Sequence, residues 1–179
     1  MLTENNYSVA PMIFPFLVFF GFSICMIMAA LKDAASMKIP NWISLLTAGL
    51  FFVMIPFAWD GLAVFGQHLL IGGIVFIAGF IMFALGWLGG GDAKLLAATS
   101  LWWTWSDAVL YFGYTGLLGG ALAIVLLIGR KYAPVWLSTS SWGYGLFKEE
   151  KKMPYGLALA GGALLTLPQS EIFKVALGL

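Results

Sequence analysis

An all-α, polytopic membrane protein is the fold class this sequence predicts, and three observations predict it. Hydrophobic residues make up 61% of the 179 residues and charged residues 9%, with a mean hydropathy of +0.96. A soluble domain needs far more polar surface than that. Uncharged apolar runs recur along the chain at lengths that suit a hydrocarbon core about 30 Å thick. The breaks between them carry Gly, Pro, Asp and Lys, residues that end helices and turn chains.

Six spans are predicted, over 12–31, 42–59, 62–88, 93–105, 108–128 and 154–168. The first run holds 20 residues without a charge, enough to cross. The segment before it, Met1 to Ala10, lacks the Lys or Arg that a secretory signal places ahead of its apolar stretch, so the run is expected to be retained. It gives way to Lys32-Asp33-Ala34-Ala35-Ser36-Met37-Lys38-Ile39-Pro40-Asn41. Pro40 disfavours helix at Ile39, which marks a break at the membrane surface. The second span ends before Asp60-Gly61, a turn. The third is longer than a perpendicular crossing requires and is expected to tilt or begin outside the core. Within it Gly72, Gly79 and Gly86 recur every 7 residues, nearly on one helical face, which permits close approach of a neighbouring helix.

The fourth span is the shortest. Its uninterrupted apolar part, Leu95 to Trp105, is 11 residues, about 16 Å of helix. Either it starts inside the membrane with Asp92 near its first turn, or Trp102, Trp103 and Trp105 extend it as an interfacial belt. Asp107 marks a turn before the fifth span, where Gly116 and Gly120 form a GxxxG packing pattern. Residues 129–153 are the longest polar loop, with Tyr132, Trp136, Trp142 and Tyr144 suited to an interface. Pro154 opens the last span, and residues 169–179 form a short amphipathic tail.

Charge placement tests the number of crossings. With the N-terminus outside and six crossings, Lys32, Lys38, Lys94, Arg130, Lys131, Lys148, Lys151 and Lys152 lie inside and Lys174 outside, eight of the nine basic residues on one face. Without the fourth crossing, the five from Arg130 to Lys152 would move to the face opposite Lys32, Lys38 and Lys94. In this topology Asp33 and Asp92 share the inner face. Asp60 and Asp107 fall outside as solvated turn acids, and Glu149 and Glu150 form a solvated cluster among lysines. His68, the single histidine, lies on the far side and is assigned no role. Cys25, the single cysteine, is read as packing, which excludes a disulfide framework and a tetrathiolate metal site. A net charge of +1 without a basic run gives no sign of nucleic acid. No cofactor or metal is expected.

The stretch that carries chemistry is Gly89-Gly90-Gly91-Asp92-Ala93-Lys94. An ionisable group between apolar runs is costly and is functional by default, and glycines let a backbone or a bound peptide approach. The plain alternative is that Asp92 caps the segment from Leu95 onward, a task that needs no triple glycine. Two facing carboxylates can share a proton, because like charges a few Å apart do not both ionise cheaply. One ionised Asp then takes a proton from water while the other donates to a carbonyl oxygen, a minimal machinery for peptide hydrolysis. Asp33 and Asp92 share depth and face, and are the candidate pair.

Asp33, Ile39-Pro40-Asn41, Gly89-x-Gly91-Asp92-x-Lys94 and Pro154-Tyr155-Gly156, in that order, resemble the motifs of the type IV prepilin peptidases, GxGD membrane aspartyl proteases. The chain looks most like the short members associated with Flp/Tad pilus assembly. The resemblance covers Leu31 to Gly162. It implies that Asp33 and Asp92 are the catalytic pair, and that the partner is a prepilin whose short basic leader is cut at the cytoplasmic face of the inner membrane. Longer members carry an N-terminal region with two CxxC pairs and a methyltransferase activity. With only Cys25 here, peptidase activity without methylation and without zinc is expected. The segment after Asp33 is less basic than is usual, with only Lys38 before Ile39.

Supporting and substrate-lining residues are then Gly89, Gly91, Lys94, Pro40, Asn41, Pro154, Tyr155 and Gly156. Lys94 either holds Asp92 ionised, binds an acidic group of the substrate, or serves as a positive-inside anchor. Pro154 to Gly156 either starts a helix or lines the site. Membrane lipid is the other expected partner, and a homo-oligomer is left open. Two rival readings are an archaeal-type preflagellin peptidase with the same chemistry and a transporter binding protons or cations at the two Asp. Transporters often repeat a broken helix, and the glycine-aspartate break occurs once. Presenilin-like proteases share GxGD, but Lys32 stands where their Tyr is expected and Pro-Tyr-Gly where they have Pro-Ala-Leu.

Overall fold

The computed structural model of the chain describes residues 10–132 and 153–179, and the described residues form helices without strands. Among the described residues seven α-helices follow in order: α1 Ala10–Ser36, α2 Asn41–Met54, α3 Leu62–Ala84, α4 Gly90–Ser100, α5 Trp105–Tyr132, α6 Tyr155–Thr166 and α7 Glu171–Leu177. Three of them, over Ile13–Ser36, Leu62–Ala84 and Trp105–Gly129, are long and apolar enough to cross a bilayer. The aromatic-rich loop expected over 129–153, with Trp136, Trp142, Tyr144, Lys148, Glu149, Glu150, Lys151 and Lys152, lies for the most part outside the described residues, as does the segment ahead of Ala10.

Several boundaries differ from those expected. α1 runs through Lys32 and Asp33 to Ser36, because the ladder of hydrogen bonds continues until Met37, whose φ of 52° is left-handed and whose N–H bonds Asp33 O at 2.8 Å. That αL residue closes the helix. Asp33 is therefore a helical residue and not part of the surface break. α2 gives way at Met54 to a short 3-10 turn over Ile55–Phe57 that contains Pro56. α3 stops at Ala84, four residues early, before Gly86 turns the chain with φ 74°. α4 begins at Gly90, inside the glycine cluster, with Gly89 as its N-cap. Asp92 thus sits in the first turn and is not the cap.

α4 and α6 are the short central helices. α4 packs on α2 and α3, α6 packs on α1 and α5, and the two touch each other. Gly72 and Gly79 of α3 face α4, at Leu101 and Ala93, as their spacing foretold. Gly86 lies beyond the helix, and a Cβ there would meet nothing within 4 Å among the described residues. A Cβ on Gly116 or Gly120 of α5 would also meet nothing within 4 Å among the described residues, whereas one on Gly119 would stand 3.6 Å from Ala158 Cβ of α6.

At the C-terminal end of α4 the chain enters an aromatic core. Trp102 and Trp103 are fully buried, which overturns the interfacial belt; only Trp105 is exposed. Trp102 packs against Phe22 with centroids 4.5 Å apart and the rings tilted by 52°, and its Nε1–H donates to Thr47 O at 3.1 Å. Burying the indole with its N–H paired avoids the desolvation cost of an orphaned donor. Asp107 is buried as well, not a solvated turn acid. Its Oδ2 accepts from Thr104 N–H, Thr104 Oγ1–H and Glu171 N–H at 3.2, 2.8 and 3.2 Å, tying α5 to the start of α7. His68 is buried beside Phe51 with Nδ1 2.9 Å from Leu101 O, so it serves packing between α3 and the end of α4. Asp60 is exposed. The tail is amphipathic, with Ile172 and Leu177 buried and Glu171 paired with Lys174 at 3.4 Å.

Trp102→Ala removes the largest side chain of this core together with one buried hydrogen bond. The expected loss is about 3–5 kcal/mol, read as a lowered thermal midpoint of the purified protein in detergent; a midpoint unchanged within a degree would contradict the core described.

Candidate active site

Asp33 belongs to the last two turns of α1 and Asp92 to the first turn of α4. Both are buried, at 4% and 9% exposure, and both line one cleft of about 310 Å³ together with Met37, Lys38, Ile39, Gly89, Gly90 and Gly91. The two acids stand 59 positions apart in the sequence and border the same cleft.

Each acid sits at the positive end of a helix. Asp33 Oδ2 accepts the N–H of Gly156 at 2.7 Å, within the first turn of α6. That N–H is one of the donors a helix start leaves without an intrahelical partner, and a carboxylate is the acceptor the helix dipole favours. Asp92 occupies the first turn of its own helix, with Oδ2 folded back over Gly89. Its Oδ1 is buried with no hydrogen-bond partner among the described residues. A buried acceptor left so costs about 1–3 kcal/mol, an arrangement that favours a proton-bearing group arriving in the cleft.

Glycine is required at three places here. A Cβ on Gly89 would stand 2.7 Å from Asp92 Oδ2, and one on Gly156 would stand 2.8 Å from Asp33 Oδ2 and 2.8 Å from Ile39 Cδ1. A Cβ on Gly91 would meet Ile39 at 3.1–3.2 Å, against its backbone N and O. Ile39 is 7% exposed and wedges between Gly91 of α4 and Gly156 of α6. Pro40, extended with ψ 139° as N-cap of α2, directs the chain away from it. The left-handed Met37, at a conformation that costs a β-carbon-bearing residue about 1–2 kcal/mol, makes the reversal between Asp33 and Ile39.

The structure thus brings together Asp33, Asp92, Gly89, Gly91 and Gly156. Pro154 is buried as the N-cap of α6, and Tyr155 follows it half-exposed; neither borders the described cleft. Lys94 does not hold Asp92. Residues two apart on a helix point to different sides, and the Lys94 Nζ donates instead to Asn41 Oδ1 at 3.0 Å, fastening α4 to the first residue of α2. Ile39 was part of a recognisable motif, but its seat between two glycines from distant segments has no local signal. Among the described residues no three of His, Cys, Asp and Glu gather as a metal centre would require.

The sequence model of the type IV leader peptidase family matches residues 9–124. The chain belongs to the type IV leader peptidase family. This leader peptidase is accordingly a protease of the membrane, and the match lends nothing to the transporter reading. The matched segment holds Asp33 and Asp92 but stops before Gly156, so the link between Asp33 and α6 comes from the fold alone. Comparisons with curated proteins and with solved structures give no match.

Gly156→Ala places a methyl against Asp33 and Ile39 and displaces the N–H that holds the carboxylate. A charged hydrogen bond of this kind contributes about 1.5–3 kcal/mol, so the peptidase activity of the variant is expected to fall about tenfold to a hundredfold. The rate of leader cleavage by the correctly inserted variant measures it, and a wild-type rate would show that the bond has no bearing on the site.

Proposed function

We propose that this peptidase is an aspartyl endopeptidase that removes the leader of type IV, Flp-like prepilins at the cytoplasmic face of the inner membrane. The observation that carries the proposal is the pair of buried carboxylates, brought from two helices to one cleft and each set at a helix N-terminus. Six crossings with the N-terminus outside would put this cleft on the cytoplasmic side, with the positive-inside distribution of lysines as support.

In the proposed reaction one Asp is ionised and the other protonated. The ionised carboxylate takes a proton from a water molecule as its oxygen attacks the scissile carbonyl carbon. The protonated one donates to the carbonyl oxygen, giving a neutral tetrahedral intermediate. Collapse breaks the C–N bond, the amine leaves with the proton held by the first Asp, and the second regains its own from the intermediate's hydroxyl. The Gly156 N–H fixes the orientation of Asp33, and the partnerless Oδ1 of Asp92 faces incoming hydrogen-bond donors.

Asp33→Asn and Asp92→Asn each preserve shape while removing the acid–base function. In reconstituted membranes each variant is expected to lose leader cleavage about a thousandfold or more, with insertion checked by protease accessibility. Normal cutting by either inserted variant would sink the two-carboxylate mechanism.

A further inference from the structure

A second cavity, of about 470 Å³, lies on the other side of α4 from the paired acids. Ala97 and Ala98 of α4 form its floor, Leu45 and Ala48 of α2 one wall, and Phe76 of α3 the other. α2 and α3 both pack on α4 but hardly touch one another, so the groove opens sideways between them. At one end stand Asn41 and Lys94; one turn further in, the Ser44 hydroxyl is 7% exposed and has no hydrogen-bond partner. A smaller recess of about 220 Å³, bordered by Phe80 and Phe83, joins this groove at Phe76 and Lys94 and reaches Gly90. Gly90 also lines the carboxylate cleft.

The cleft and the recess share Gly90, and the recess and the groove share Phe76 and Lys94, so the three adjoin as a track that follows α4 from Gly90 to Leu101, about 16 Å or three helical turns. We propose that this track seats the apolar helix of the substrate, with its scissile end in the cleft, and that Lys94 orients it by excluding basic residues from the groove. The inference rests on the peptidase reading above. Small residues on the floor let a helix backbone come close, and an orphaned hydroxyl in an apolar groove seeks a partner on whatever packs there. Adjacency to the cleft through Gly90 and Lys94 favours a segment of substrate over a lipid acyl chain, which has no need to reach Asp92. The Lys94 ammonium has the neutral Asn41 amide as its described partner. Repulsion between like charges keeps a basic leader out of the groove and on the cytoplasmic side of the scissile bond.

The test uses the full chain in proteoliposomes with two substrates, a prepilin carrying its apolar helix and a short peptide spanning the same junction without it. Ala48→Trp fills the half-buried wall of the groove. It is expected to raise KM for the helix-bearing substrate about tenfold more than for the short peptide, with kcat for the former little changed. Ile77→Trp, on the 60% exposed outer face of α3, should alter neither. A photoreactive residue at Leu45 should cross-link the bound helix, and one at Ile77 should not. Equal KM changes for both substrates, or cross-links from Leu45 to phospholipid alone, would overturn the proposal. If the wild type cuts neither substrate, the peptidase reading falls on that result, while the Leu45 cross-link still decides whether the groove binds the helix.

Discussion

The bond from Gly156 N–H to Asp33 Oδ2 spans 123 residues of sequence, and the site depends on it. It joins the end of α1 to the beginning of α6, satisfies a donor that a helix start leaves free, and lends a buried carboxylate the positive end of a helix dipole. Without it the acid would face the cost of burial unassisted. Around the bond, Ile39 fills the space between Gly156 and Gly91, so the same contact that orients Asp33 also sets the distance from α6 to the glycine cluster bearing Asp92.

This arrangement explains why the central helices are short. α4 has 11 residues and α6 has 12, about 16–18 Å each, and neither would span the hydrocarbon core alone. Their N-termini instead end at the buried acids, where a backbone break inside the protein is tolerated because side chains and neighbouring helices satisfy it. At the far end of α4 the aromatic cluster of Trp102, Phe22 and Phe51 anchors the helix. One end of α4 is thus given to aromatic packing and the other to the cleft that Asp33 and Asp92 line.

Much of this was legible in the residues. Composition and run length established a helical membrane protein, because burying that much apolar surface has no soluble solution. The glycine-aspartate stretch identified Asp92, since a carboxylate between apolar runs is too costly to be incidental, and Asp33 followed from shared depth. The errors have a common origin. Asp107, His68, Trp102 and Trp103, which the sequence places at membrane faces, are all buried; Asp107, His68 and Trp102 meet remote partners, Glu171 N–H, Leu101 O and Thr47 O, while Trp103 Nε1 has none among the described residues. Hydropathy counts a polar group as exposed when its partner cannot be seen.

By itself, then, the sequence determined the helical class of the protein and the family whose motifs it carries, and it singled out two candidate acids, because these follow from local composition and spacing. Only the tertiary structure decided that Gly156 holds Asp33, that Ile39 sits between two glycines, that Lys94 pairs with Asn41, and that α2, α3 and α4 leave a groove between them. Those are contacts between segments far apart in the chain, and no periodicity within one segment encodes which remote backbone will come near enough to demand a glycine.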